Sequence, residues 1–140
     1  EPYRRQRQMC IRDSYYTTTK GVLEKVKAHV GDVDFAVQPE ILSLLSSGNF
    51  GRYADEKGEM KVCFISNNDI TGGNSGSAMF NSKGELLGLA FDGNWEAMGS
   101  DILYEPKMQR TIGVDVRYIL FMIEKYGKAG NLIQELNILN

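Results

Sequence analysis

Several residue types that build common kinds of site are scarce in this sequence. It has one histidine, His29, and two cysteines, Cys10 and Cys63, with no CxxC pair, so neither a disulfide framework nor a clustered metal site is expected. No segment approaches the roughly 18 consecutive apolar residues that span a bilayer. The formal net charge of -2 provides no attraction to nucleic acid or anionic membranes. We therefore expect no metal, no cofactor, no nucleic-acid partner and no membrane span.

The composition is that of an ordinary folded domain. Over 140 residues, 42% are hydrophobic and 24% are charged, which suits one domain with one real core. The first 14 residues contain four arginines and little apolar periodicity. This pattern predicts a disordered or artefactual leader over 1–14, followed by a folded part over 15–140.

Apolar periodicity and turn residues predict the secondary structure. Spacings of three and four predict helices over 20–30, 39–47 and 114–136, the last with a break near Gly127. Strand-like runs separated by turn residues predict strands over 59–66, 78–81 and 86–92. Residues 67–77 are expected to form a loop and 82–85 a turn. Cys63 lies within the apolar run VCFI and is predicted to be a buried structural thiol.

The loop contains the most informative segment, TGGNSGS over 71–77. A serine hydroxyl is a poor nucleophile, so a catalytic serine needs a base and hydrogen-bond donors for the negative charge that develops on the attacked carbonyl. Glycines around Ser75 allow the backbone to turn its amides inward, and the amides of Gly73 and Ser75 are the candidate donors. The following strands should fold back as a hairpin and bring residues 91–93 beside Ser75.

The same residues are also compatible with a simple turn. Gly72, Gly73, Asn74 and Gly76 are typical of a tight turn between strands. The segment is not the G-x-S-x-G elbow of α/β-hydrolases either, because position 77 is serine. The two strands that follow Ser75 favour the catalytic interpretation.

A longer stretch of the sequence strengthens the catalytic interpretation of Ser75. In trypsin-like serine peptidases a G-[DN]-S-G motif precedes two strands, the later of which lines the specificity pocket. The run FISNNDITGGNSGSAMFNSKGELLGLAFDGNW, and with it most of 15–138, resembles the C-terminal end of the bacterial dipeptidyl-peptidase 7 and dipeptidyl-peptidase 11 family. The resemblance implies a mostly β chain with helices, namely the second half of a chymotrypsin-like double β-barrel plus a C-terminal helix. It also implies a periplasmic or cell-surface serine exopeptidase that releases dipeptides from peptides with free N-termini. A homodimeric full-length protein is compatible with it.

The resemblance also assigns roles to individual residues. Ser75 matches the nucleophile, and Gly73 with Ser75 matches the oxyanion-hole amides. Asp92 matches the carboxylate that binds the α-ammonium group of the substrate. Gly93 occupies the specificity-pocket position where acidic-preferring members have arginine, which implies a preference for a hydrophobic residue before the scissile bond. Ala78 departs from the family pattern, which usually has proline there.

The sequence offers no base for Ser75. His29 lies in the predicted helix 20–30 among lysines and is interpreted as a surface or partly packed side chain. In the family, the catalytic histidine and aspartate come from far upstream, so we expect this chain to be a C-terminal fragment that is inactive in isolation. Two alternatives remain open. Asp69 could select basic residues in a trypsin-like endopeptidase, or the segment could be a turn in a non-catalytic half-barrel interaction module.

Overall fold

The structure of the protein is a computed structural model that describes residues 15–94 and 109–139. The predicted leader over 1–14 lies outside the described residues. The chain divides into two units. One contains Cys63–Val116 with the segment ending at Tyr16, and the other contains Thr17–Val62 with Arg117–Asn140.

The strands of the described residues form one sheet in the order β1-β2-β5-β4-β3. The pairs β2–β5, β5–β4 and β4–β3 are antiparallel. The strands span Tyr16–Thr18 (β1), Lys61–Ser66 (β2), Ala78–Phe80 (β3), Leu86–Gly93 (β4) and Thr111–Asp115 (β5). The three predicted strands are therefore confirmed as β2, β3 and β4. The expected β structure with helices is confirmed as an antiparallel sheet with several helices.

Strand β5 was not predicted, and part of it was assigned to a helix. Val114 and Asp115 pair with β4, opposite Leu89 and Gly88, and the helix begins only at Val116. The prediction was wrong because strand and helix follow each other without a turn residue between them. The β-branched residues of Thr111–Asp115 were the available signal for a strand.

The sheet unit has a small core formed by Phe64, Met79 and Ala90. Tyr16, Ile70 and Leu87 pack against it. Successive residues of a strand point to opposite faces, so Cys63 lies on the face opposite Phe64. It is only half-buried, so the prediction of a buried thiol was wrong.

Two glycines make room for the ring of Phe64. A Cβ at Gly113 would lie 2.8 Å from Phe64 Cζ, and one at Gly88 would lie 2.8 Å from Phe64 Cε1. The Gly88 position is tighter still, because its Cβ would also lie 2.0 Å from the backbone oxygen of Val114. The paired strand cannot yield at that point without losing its hydrogen bonds, so the close packing of β4 and β5 requires glycine.

This packing predicts a large stability effect. Gly88→Ala should lower the free energy of unfolding by at least about 3 kcal/mol, because overpacking here displaces backbone and not only side chains. Thermal and denaturant unfolding of both proteins would measure the change. Gly21→Ala is the matched control: Gly21 lies in a helix and a Cβ added to it would meet nothing within 4 Å, so that substitution should stabilise by about 0.5–1 kcal/mol. Equal effects of the two substitutions would contradict the packing argument.

The second unit is helical. Its helices span Thr19–Ala28 (α1), Pro39–Ser46 (α2), Val116–Phe121 (α3) and Gly130–Gln134 (α4). The first two predicted helices are confirmed, and Pro39 occupies the first turn of α2, where its missing N–H costs nothing. The break predicted near Gly127 in the third helix is confirmed. Helix α3 continues as a π-helical turn over Met122–Tyr126, and the N–H of Gly127 donates to the carbonyl of Met122 at 2.8 Å.

Aromatic side chains form the centre of the helical unit. Phe121 makes edge-to-face contacts with Phe50 and Tyr53, at centroid distances of 5.7 and 6.0 Å. The hydroxyl of Tyr53 donates to Glu124 Oε2 at 2.5 Å. This hydrogen bond lowers the pKa of Glu124, whereas burial is the main cause that raises the pKa of Tyr53. Across the described residues, every helix is too short or too polar to cross a membrane.

Candidate active site

The hairpin brings Ser75 beside strand β4. The N–H of Gly76 donates to the carbonyl of Ala90 at 2.7 Å, and the N–H of Ala90 donates to the carbonyl of Ser77 at 2.9 Å. Ser75 is exposed, and its hydroxyl donates to the carbonyl of Phe91 at 3.4 Å. The predicted return of the hairpin to Ser75 is thus confirmed at Phe91, the first of the residues 91–93.

A β-bulge in β4 determines where Asp92 and Gly93 point. Ala90 pairs with Gly113, but Asp92 pairs with Ile112, so Phe91 is an extra residue on this strand. In a regular strand Ala90 and Asp92 would share the buried face. The bulge instead moves Asp92 to the opposite face, and Gly93 then pairs with Thr111 on the Ala90 side.

The carboxylate of Asp92 is exposed and partly oriented. Its Oδ1 accepts a hydrogen bond from the N–H of Gly93 at 2.8 Å. Across the part of the chain that the structure describes, Oδ2 has no hydrogen-bond or ion-pair partner. An exposed carboxylate with one fixed oxygen and one open oxygen is suited to binding an ammonium group.

The backbone around Ser75 has the conformation that the oxyanion-hole prediction requires. Gly73 and Gly76 have φ values of +89° and +86°, a region that other residues rarely adopt. The amides of Asn74 and Ser77 donate to the carbonyls of Thr71 and Asn74, at 3.2 and 3.0 Å. Within residues 15–94 and 109–139, by contrast, the amides of Gly72, Gly73 and Ser75 donate to no acceptor.

No base for Ser75 is found among the described residues. Its hydroxyl has the Phe91 carbonyl as its hydrogen-bond partner there. His29 belongs to the helical unit, where Nδ1 lies 2.9 Å from the carbonyl oxygen of Lys25 and the ring stacks on Phe35 at a centroid distance of 4.0 Å. The interpretation of His29 as a partly packed side chain is therefore confirmed. Nor do the described residues contain a group of three or more His, Cys, Asp or Glu side chains that could hold a metal ion.

Sequence reasoning missed two features of this site. The bulge at Phe91 leaves no signature in residue type, so the opposite directions of Asp92 and Gly93 could not be predicted. The buried hydroxyls of Ser66 and Thr111 were also missed, although a hydroxyl within an apolar strand is a weak signal of an internal hydrogen bond. Asp69, the residue of the trypsin-like alternative, is exposed in the loop.

Comparison with known proteins decides the family. The model of the family Peptidase S46 matches residues 6–138. The chain belongs to the peptidase S46 family. Among curated proteins, this S46 chain is 60% identical over 125 residues to dipeptidyl-peptidase 7 of Porphyromonas endodontalis, covering 89% of the chain and 15% of that protein. It is 46% identical over 126 residues to the Asp/Glu-specific dipeptidyl-peptidase of Capnocytophaga gingivalis, covering 90% of the chain and 17% of that protein.

Solved structures agree with the S46 assignment. A crystal structure of Porphyromonas endodontalis DPP11 in complex with the dipeptide Arg-Glu matches with a TM-score of 0.79 and 43% identity, covering 86% of this chain and 17% of that one. The predicted resemblance and the antiparallel fold with helices are thus confirmed. The S46 chain spans less than a fifth of the length of these relatives, at 15% and 17% of the two curated proteins named above.

Proposed function

We propose that this chain supplies the nucleophile-bearing part of a serine dipeptidyl-peptidase, within a full-length protein called the parent protein below. One observation carries the proposal: Ser75 is exposed in a loop in which the amides of Gly73 and Ser75 donate to no acceptor in the described part of the chain. Membership of the peptidase S46 family and the dipeptidyl-peptidase names of its relatives support it. A chymotrypsin-like double barrel is the architecture we propose for the parent.

The chemistry follows from this arrangement. Ser75 Oγ attacks the carbonyl of the scissile peptide bond, and the oxyanion that forms accepts hydrogen bonds from the amides of Gly73 and Ser75. Each such donor contributes about a hundred- to a thousandfold in rate. The hydroxyl must leave the Phe91 carbonyl and transfer its proton to a base, which we assign to a histidine of the parent protein outside this chain.

Asp92 would limit the product to dipeptides. An open carboxylate oxygen on the exposed face of β4 can pair with the α-ammonium group of a substrate. A fixed distance between that carboxylate and Ser75 selects one position of the peptide bond relative to the free N-terminus. Peptides with free N-termini are therefore the proposed substrates.

Gly93 would determine the preferred residue before the scissile bond. It follows Asp92 on the bulged strand and adds neither charge nor bulk, so a hydrophobic side chain could occupy the space beside it. Relatives of both kinds resemble the chain: dipeptidyl-peptidase 7 proteins at 49–60% identity and Asp/Glu-specific ones at 39–46%. The relatives therefore do not decide the preferred residue, and the proposed hydrophobic preference rests on the uncharged Gly93.

A single substitution tests this preference. The parent protein should release dipeptides with Leu or Phe in the second position faster than those with Asp or Glu. Gly93→Arg should reverse the order, because a guanidinium pairs with a carboxylate and is poorly desolvated against Leu or Phe. We expect each rate to change by at least about tenfold, measured as kcat/KM with dipeptidyl reporters.

Gly21→Arg adds the same charge in helix α1 and should leave the order unchanged. A wild-type parent that already prefers Asp or Glu would contradict the role of Gly93. A parent that releases no dipeptide from any reporter would contradict the proposed function as a whole.

A further inference from the structure

Two buried hydroxyls contact the backbone of one residue near the start of the loop 67–77, called the serine loop below. Thr111 Oγ1 donates to the carbonyl of Asn68 at 2.7 Å, and the N–H of Asn68 points at Ser66 Oγ at 3.5 Å. Ser66 and Thr111 are buried and pair directly across β2 and β5. We call Ser66 and Thr111 the hydroxyl clamp. It fixes Asn68 from both of its backbone hydrogen-bonding groups.

The position of the clamp connects two parts of the site. Thr111 pairs with Ser66 of β2 on one side and with Gly93 of β4 on the other. Strand β5 therefore lies between the start of the serine loop and Gly93, the proposed specificity position. Asn68 is the second residue of the serine loop, and Ile70 of the same loop packs against the Phe64 core. The clamp therefore sets where the loop starts relative to Gly93.

The stronger half of the clamp is the bond from Thr111. Its side chain is completely buried, and the 2.7 Å distance is the usual length for a hydroxyl donor to a carbonyl, whereas the 3.5 Å contact of the Asn68 N–H with Ser66 Oγ is long. Removing the hydroxyl while keeping the side-chain shape would leave the Asn68 carbonyl beside a methyl group. The Asn68 carbonyl could recover a hydrogen bond only by moving toward water. That movement would change the distance between the serine loop and Gly93.

We propose that Thr111 is a positioning residue for substrate selectivity. Its hydroxyl holds the serine loop at a defined distance from Gly93, and so defines the width of the space that receives the substrate side chain. This inference rests on the proposed function, because the serine loop and Gly93 line a substrate pocket only if Ser75 is the nucleophile. Thr111 itself touches no substrate in this assignment and acts through Asn68.

The experiment compares Thr111→Val with Thr111→Ser in the parent protein. The readout is kcat/KM for dipeptidyl reporters that carry Ala, Leu or Phe before the scissile bond. Thr111→Val should lower the Phe-to-Ala and Leu-to-Ala ratios by about tenfold, because a displacement of about 1 Å is costly when a side chain must fit a defined space. Thr111→Ser retains the hydroxyl and should keep both ratios within about twofold of the wild type.

Stability must be separated from selectivity. Thr18→Val is the matched control, because Thr18 ends the edge strand β1, which pairs with neither β4 nor β5, and its side chain makes no capping hydrogen bond to helix α1. This variant should leave the ratios unchanged. Thermal unfolding of all variants would show whether a loss of folded protein accompanies the change; such a loss scales all three reporters equally and leaves their ratios constant.

The possible outcomes are distinct. If the wild type is active and Thr111→Val leaves the Phe-to-Ala and Leu-to-Ala ratios of kcat/KM unchanged, the positioning role is overturned and the proposed function remains intact. If Thr111→Ser changes these ratios as much as Thr111→Val does, the positioning role is also overturned, because Thr111→Ser retains the hydroxyl. A wild-type parent that releases no dipeptide overturns the proposed function, on which this inference depends.

Discussion

Ser75→Ala in the parent protein should reduce dipeptide release by about a millionfold, the loss seen when a serine nucleophile is removed from a complete triad. The substitution removes one exposed hydroxyl and its long hydrogen bond to the Phe91 carbonyl, so the fold should remain intact. Residual hydrolysis would come from substrate binding and from the amides of Gly73 and Ser75. The rate with a hydrophobic dipeptidyl reporter, together with the unfolding temperature, measures both effects.

Ser82→Ala is the control for Ser75→Ala. Ser82 is exposed in the turn between β3 and β4, and its replacement should change the rate of dipeptide release by less than about twofold.

A fluorophosphonate reagent should label the wild-type parent at Ser75. The isolated 140-residue chain, which offers Ser75 no base among its described residues, should react no faster than its own Ser75→Ala variant. Rapid labelling of the isolated chain at Ser75 would contradict the assignment of the base to another part of the parent.

Asp92→Asn should lower kcat/KM for peptides with free N-termini by about a thousandfold, because the ammonium group of the substrate would lose its partner in a desolvated charge pair. The amide oxygen of asparagine can still accept the hydrogen bond from the Gly93 N–H, so the local backbone should be preserved. N-terminal acetylation of the substrate should abolish cleavage by the wild type for the same reason. The two losses should not multiply, since each removes one side of the same ion pair.

Asp69→Asn is the matched control, and it also tests the trypsin-like alternative. Asp69 is a second exposed carboxylate, located earlier in the serine loop. Its neutralisation should leave dipeptide release unchanged. Selective loss of cleavage after Lys or Arg in Asp69→Asn would support the endopeptidase instead, and equal turnover of free and acetylated peptides would show that Asp92 does not bind the N-terminus.

The local sequence determined much of this site. Turn residues around Ser75 and the two apolar runs after it were sufficient to predict a hairpin that returns residues 91–93 to the serine, because short-range turn chemistry fixes the pairing of adjacent strands. The positive φ values at Gly73 and Gly76 occur where the sequence predicts a backbone role for glycine. The first two helices followed from apolar spacing, with Pro39 at the start of the second. The sequence also agrees with the lack of a base near Ser75 among the described residues, since its one histidine falls in a helical pattern.

Only the tertiary structure decided the directions of the side chains and the long-range pairings. Strand β5 runs directly into α3, and its place between β2 and β4 depends on pairing with residues distant in sequence. The bulge at Phe91 arises from the register of that pairing, and it turns Asp92 and Gly93 to opposite faces. The Thr111–Asn68 hydrogen bond likewise joins residues that a local pattern cannot relate. Periodicity reports which residues one element can bury, whereas register and cross-strand hydrogen bonds depend on which other element it meets.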